Sequence, residues 1–124
     1  MIDMPIDINN LGDLINALEE INPEYKVYIK PYNLRPTGFD SYRGYYEDLS
    51  LTYDCDSDCM VKDLLKWAKN TINKKLLGYK GGEFLMDDKT PIWISNYGQV
   101  TGMKLTSLEV PFDGYVYLYG EKEE

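Results

Sequence analysis

Apolar residues recur along this chain at two intervals, and the change from one to the other marks its elements. Leu11, Leu14, Ile15, Leu18 and Ile21 lie three or four positions apart, the spacing of one helix face. Asn10 stands before this stripe as an N-cap, and Asn22-Pro23 ends it because proline disfavours a helical predecessor. Residues 25–30 alternate instead, with Val27 and Ile29 on one face and Tyr28 on the other, which predicts a strand. A second helical stripe runs through Val61, Leu64, Leu65, Ala68, Ile72 and Leu76. Ser57 or Asp58 is placed to cap it and Gly78 to end it. Its lysines, Lys62, Lys66, Lys69, Lys74 and Lys75, fall mainly on the wetter flanks or near the C-terminal end, where the helix dipole favours cations.

The other segments read as β. A strand from Tyr45 onward points Leu49, Leu51 and Tyr53 one way and Asp48, Ser50 and Thr52 the other. Short strands are expected at residues 84–86, 91–95, 103–110 and 115–119, with Val116 and Leu118 alternating with three tyrosines in the last. Asp113-Gly114 is a hairpin signal joining the final two. Residues 31–44, punctuated by Pro31, Pro36, Gly38 and Gly44, read as a long ordered loop, a kind of segment that leans towards function. The first residues are expected to be irregular and residues 121–124 to be a solvated end. The fold class that follows is α+β, two helices packed on one face of a mainly antiparallel β-sheet. Residues 1–124 are expected to form a single compact domain with short flexible ends, since this length supports one core.

Charge narrows the partners. Thirteen basic residues against 21 acidic ones give a net charge of -8, which repels a polyanion, so direct binding to duplex nucleic acid is not expected. The same balance suits solubility and a basic partner, including a protein groove that normally holds nucleic acid. No apolar run approaches the roughly 18–20 residues that span a bilayer, and the start lacks a basic n-region. A cytoplasmic protein with no membrane partner is expected.

Candidate chemistry is sparse. The chain has no histidine, which removes imidazole bases, Ser-His-Asp and Cys-His constellations and most zinc-enzyme ligand sets. Asp54-Cys-Asp-Ser-Asp58 copies the first three ligands of an EF-hand loop, but Cys59 stands where the glycine belongs and Leu65 where the bidentate glutamate belongs. A polar turn with a helix cap is the better account. Cys55 and Cys59 lack the further cysteine or histidine that completes a zinc site and the Cys-x-x-Cys spacing of a redox pair. The carboxylate pairs Glu19-Glu20, Glu47-Asp48 and Asp87-Asp88 select no reaction by themselves. No metal, no cofactor and no catalytic residue is expected, and the chain reads as a binding protein rather than an enzyme.

Recognition chemistry, by contrast, is concentrated. Twelve tyrosines stand against three phenylalanines, and tyrosine gathers at half-exposed positions and interfaces. Between positions 35 and 46 lie two guanidiniums, four rings and two glycines. Arg35, Tyr42, Arg43, Tyr45 and Tyr46 are therefore candidate binding residues, offering forked donors beside flat apolar surfaces. Arg43 either anchors a partner or pairs with Glu47 or Asp48 as a structural clamp. Lys80, Gly81 and Gly82 form a second cation–glycine turn able to meet an anion through backbone N–H groups. Unpaired strand edges and exposed tyrosines also suit a homodimer.

Two blocks, Ser41-Tyr-Arg-Gly-Tyr-Tyr-Glu-Asp-Leu-Ser-Leu51 and Gly78-Tyr-Lys-Gly-Gly-Glu-Phe-Leu-Met-Asp-Asp-Lys-Thr-Pro-Ile-Trp-Ile94, resemble segments of small uncharacterised accessory proteins of tailed bacteriophages. The resemblance covers residues 26–110 and brings no catalytic residues with it. It implies a viral protein acting in the cytoplasm of the infected bacterial host. Its role would be non-catalytic, blocking a host-defence component in the manner of an anti-CRISPR or other anti-defence inhibitor. The alternatives it implies are a sponge for a small nucleotide signal and a virion or assembly protein.

Overall fold

The computed structural model describes residues 2–30, 32–41, 49–71, 75–77, 83–85, 89–95, 102–112 and 114–122. The first leucine stripe forms α1, Leu11–Glu19, and its start is fixed by local hydrogen bonds. Asn10 is extended, and its side-chain oxygen accepts from the Asp13 N–H at 2.8 Å, while the Asp13 carboxylate accepts from the Asn9 N–H at 2.9 Å. Leu11 N–H, which has no acceptor within the helix, donates to Thr90 O at 2.9 Å. Ile21 lies just past the helix and is still buried.

The second stripe forms α2, Val61–Thr71, and here two expectations are corrected. Neither Ser57 nor Asp58 caps it. Its first residue follows Met60, whose N–H donates to the Asp63 carboxylate at 3.1 Å. The helix is described as far as Thr71, whose hydroxyl donates back to Trp67 O at 2.8 Å, and it does not reach Leu76. Leu76 belongs to a strand and pairs with Phe84. Gly78, expected as the cap, lies outside the described residues.

The described residues also form nine strands: β1 Ile2–Asp7, β2 Lys26–Lys30, β3 Arg35–Ser41, β4 Leu49–Asp54, β5 Lys75–Leu77, β6 Glu83–Leu85, β7 Ile92–Ile94, β8 Met103–Phe112 and β9 Tyr115–Lys122. The main sheet runs β2-β9-β8-β7-β4-β3, with β1 also on β8, and β5-β6 forms a separate pair. Pairing is antiparallel except at β2/β9 and β4/β7. The fold class is therefore α+β, with a mixed, mainly antiparallel sheet. That sheet is nearly closed into a barrel. Its end strands meet where Ile29 and Leu34 exchange backbone bonds of 2.6 and 2.9 Å. Residues 59–61 extend the seam along β2, through Val27 N–H to Cys59 O at 2.9 Å and Val61 N–H to Tyr25 O at 2.8 Å.

Two segments expected to be irregular are strands. β1 pairs with β8 through Ile2–Val110, Ile6–Leu108 and Asp7–Ser107, with its register shifted between Ile2 and Ile6. β3 replaces half of the long loop expected at 31–44. Pro36 pairs with Tyr53 and Gly38 with Thr52, so Thr37 is the extra residue of a bulge. Gly38, at φ 154°, takes a backbone conformation that other residues rarely adopt. Proline and glycine here punctuate a strand without ending it. The hairpin at Gly114 joins β8 and β9 as expected, with φ 96° at the glycine, and both strands run past their predicted ends.

One hydrophobic cluster holds these pieces together. Leu11, Leu14 and Leu18 of α1 and Val61, Leu64 and Ala68 of α2 meet the buried faces of β2, β4, β7, β8 and β9. Each large side chain so buried contributes about 1.5–3 kcal/mol. Burying one face of β2 and β9 sets the orientation of the other, and that outer face carries the candidate site.

Candidate functional site

Val27 and Ile29 are buried, so Tyr28 and Lys30 between and beyond them face outward. Val116 and Leu118 do the same for β9, turning Tyr115, Tyr117 and Tyr119 to the outside. Parallel register sets Tyr28 beside Tyr117, and the β8–β9 hairpin sets Glu109 opposite Tyr117 and Phe112 opposite Tyr115. The rings consequently touch. Tyr28 and Tyr115 stack at 6.0 Å, Tyr28 meets Tyr117 edge-on at 6.4 Å, and Phe112 meets Tyr115 and Tyr117 edge-on at 5.1 and 6.2 Å.

Two cations border these rings. The turn after β2 places Asn33 in the left-handed region, φ 53°, which asparagine tolerates. Its Oδ1 accepts from Lys30 Nζ at 2.6 Å, and that ammonium lies 4.5 Å from the Tyr117 centroid. Arg35 opens β3 across the seam, with its guanidinium carbon 5.2 Å from the Tyr28 centroid and Nη1 donating to Ser57 O at 3.0 Å. Its Nε–H is buried and without a hydrogen-bond partner. Ion pairs among the described residues join Lys62 to Glu24 and Lys69 to Glu19, each at 3.3 Å, and none involves Lys30 or Arg35. Tyr28, Asn33, Arg35, Phe112, Tyr115 and Tyr117 line a cleft of about 370 Å³.

At the far side of this face, Tyr119 donates its hydroxyl to Glu109 at 3.3 Å. Burial, followed by the charge of Glu109, pushes the Tyr119 phenol above its ordinary value. A separate groove of about 340 Å³ lies along α2 between Pro23, Lys62, Leu65, Lys66, Lys69 and Asn70.

The Asp54–Met60 segment folds into a turn that supports Arg35. The Asp54 carboxylate accepts from the Ser57 hydroxyl, from Ser57 N–H at 2.8 Å and from Asp56 N–H at 3.2 Å. These bonds, the Ser57 hydroxyl first, hold its carboxyl below the ordinary aspartate range. The folded turn presents Ser57 O to the guanidinium. No cluster of potential metal ligands occurs among the described residues. The two thiols do not share a face: Cys55 is exposed, whereas Cys59 is 2 % exposed. Burial, aided by the Asp63 charge, pushes the Cys59 thiol up to about 12.

Of the candidate binding residues read from sequence, Arg35 is the one the described structure places. Tyr42, Arg43, Tyr45, Tyr46, Lys80, Gly81 and Gly82 lie outside the described residues, as do Glu47, Asp48, Asp87 and Asp88. The companions of Arg35 are instead Tyr28, Lys30, Asn33, Phe112, Tyr115 and Tyr117. Their signal was the alternation of tyrosine with buried valine, isoleucine and leucine in two segments far apart in sequence. No described helix is long and apolar enough to cross a membrane. No protein-family model, curated protein or solved structure matches the chain.

Proposed function

We propose that this chain acts by binding rather than by catalysis, and that the Arg35 cleft is its binding face. What carries this reading is a guanidinium and four aromatic rings lining one cleft, with the Lys30 ammonium against one of those rings, on a chain of net charge -8. The rings supply stacking area and the cations supply charged donors. The lining described above contains no carboxylate or thiol to serve as base or nucleophile. In the setting that the phage-like blocks imply, the role is to block a bacterial host-defence component, by covering a protein surface or by withholding a small signal molecule.

The test is recovery of the tagged protein from a bacterial lysate, with mass spectrometry of retained proteins and small molecules. Tyr117→Ala and Lys30→Ala are expected to lose what the wild type retains while melting within a few degrees of it. Equal recovery by all three proteins excludes the cleft as the binding face. A protein partner is the second reading, and it would engage the rim, where Phe112 is 49 % and Tyr115 37 % exposed. On that reading Phe112→Ala costs the partner about 2 kcal/mol or more.

A further inference from the structure

Not all the rings in the cleft are equally free. Arg35 lies over Tyr28 and Lys30 over Tyr117, so those two rings already hold a cation. Phe112 and Tyr115 hold none in the described structure and are the more exposed pair. Stacking surface is thus open at Phe112 and Tyr115. The charged donors lie one ring further on, since Tyr28 separates Arg35 from Tyr115 by contacts of 5.2 and 6.0 Å. Among the described residues each cation makes one hydrogen bond, to Ser57 O or to Asn33 Oδ1, which leaves further N–H donors on both.

We infer that the ligand of this cleft is a nucleoside monophosphate unit, its base stacked on Tyr115 with the Phe112 ring, which meets Tyr115 edge-on, at its border, and its phosphate held by Arg35 and Lys30. This deepens, and rests on, the reading of the cleft as the binding face. A cleft of about 370 Å³ falls in the range of small-ligand sites, roughly 300–1,000 Å³. Stacking on aromatic side chains accepts any base, because every base has a π face. Glu109, opposite Tyr117 in register, puts a negative charge on the far side, so a second phosphate in that direction meets repulsion. The net charge of -8 discourages a long polyanion, whereas a single phosphate within a Debye length, about 8–10 Å, of two cations is governed by them. Lys30 and Tyr115 are the residues to test, since Arg35 also ties the seam to Ser57.

Calorimetric titration of the intact chain with adenosine 5′-monophosphate, adenosine and inorganic phosphate separates the contributions. Adenosine monophosphate is expected to bind, with adenosine and phosphate each weaker by about tenfold or more. Lys30→Gln and Tyr115→Ala should each weaken the monophosphate by about tenfold, with melting temperatures close to wild type. Adenosine binding as tightly as its monophosphate overturns the inference, and so does monophosphate affinity that neither variant changes. If the monophosphate fails to bind while Tyr115→Ala still loses what wild type retains from lysate, the ligand class falls and the binding face stands. If lysate retention is also indifferent to the cleft variants, both fall.

Discussion

Replacing Gly120 by alanine tests the packing that holds β9 against its neighbours. Gly120 pairs with Leu105 in the β8–β9 ladder, and its backbone needs no left-handed conformation. A methyl group built there comes within 2.7 Å of Ile94 Cδ1, 2.8 Å of Met103 Cγ and 3.0 Å of Lys104 O. Unstrained carbon contacts lie at about 3.5–4.0 Å. The Ile94 methyl can swing aside, but the Lys104 carbonyl belongs to the ladder and cannot. Overpacking of this kind costs about 1–3 kcal/mol. Alanine recovers about 0.4–1 kcal/mol by restricting the unfolded chain. The net expectation is a loss of about 1–2 kcal/mol, which for a domain of this size lowers the melting temperature by about 4–8 °C. Thermal denaturation followed by circular dichroism measures it. Ile94→Val removes the nearest atom and alone costs about 0.5–1.5 kcal/mol. In that background Gly120→Ala should cost less than in wild type, a coupling of about 0.5 kcal/mol or more. A Gly120→Ala protein that melts at or above the wild-type temperature refutes the reasoning.

The lowered pKa of Asp54 gives stability that is present above the ordinary value of 3.8 and lost as pH falls through the folded value. Asp54→Asn should therefore melt below wild type at neutral pH, with the gap narrowing once the solution is more acidic than 3.8. A gap that is constant with pH contradicts this. One thiol, Cys55, should react quickly with a disulfide reagent at pH about 8, while buried Cys59 reacts only after unfolding. Two fast thiols in the folded protein would sink the assignment. Asn10→Ala should cost about 1 kcal/mol through loss of the bond to Asp13 N–H, and Asn10→Asp should restore most of it. Equal denaturation midpoints for Asn10→Ala and wild type would show that the cap contributes nothing.

What could be read from sequence follows the range of the interactions that decide each element. α1 was legible because cap, stripe and proline agree within a dozen residues, and the β8–β9 hairpin because its turn and alternation are local. β1 and β3 were not. Pro5, Pro36 and Gly38 look like breaks until β8 and β4 supply partners that tolerate a bulge. Leu76 continues the helical spacing of α2, yet its partner Phe84 lies in a strand, and periodicity alone does not distinguish the two. At the site, Arg35 stood out by its chemistry, and the outward direction of Tyr28 was readable from Val27 and Ile29. That Tyr28 lies beside Tyr117 depends on a parallel register between distant strands, which no local pattern encodes.

That parallel pairing bears on how the chain is made. β2 is complete well before the strand it joins, Tyr115–Lys122, leaves the ribosome. At about 5–20 residues per second the delay is several seconds. During it β2 has its Tyr25–Val27 contacts with residues 59–61 and the single Ile29–Leu34 bridge, while its other edge waits. An open edge is a template for mispairing with other nascent chains. Lys26 and Lys30 at the two ends of β2 are charges of the kind that discourage such pairing. The sheet therefore closes only once β9 has emerged, and the cleft, which needs β2 and β9 side by side, exists only after that.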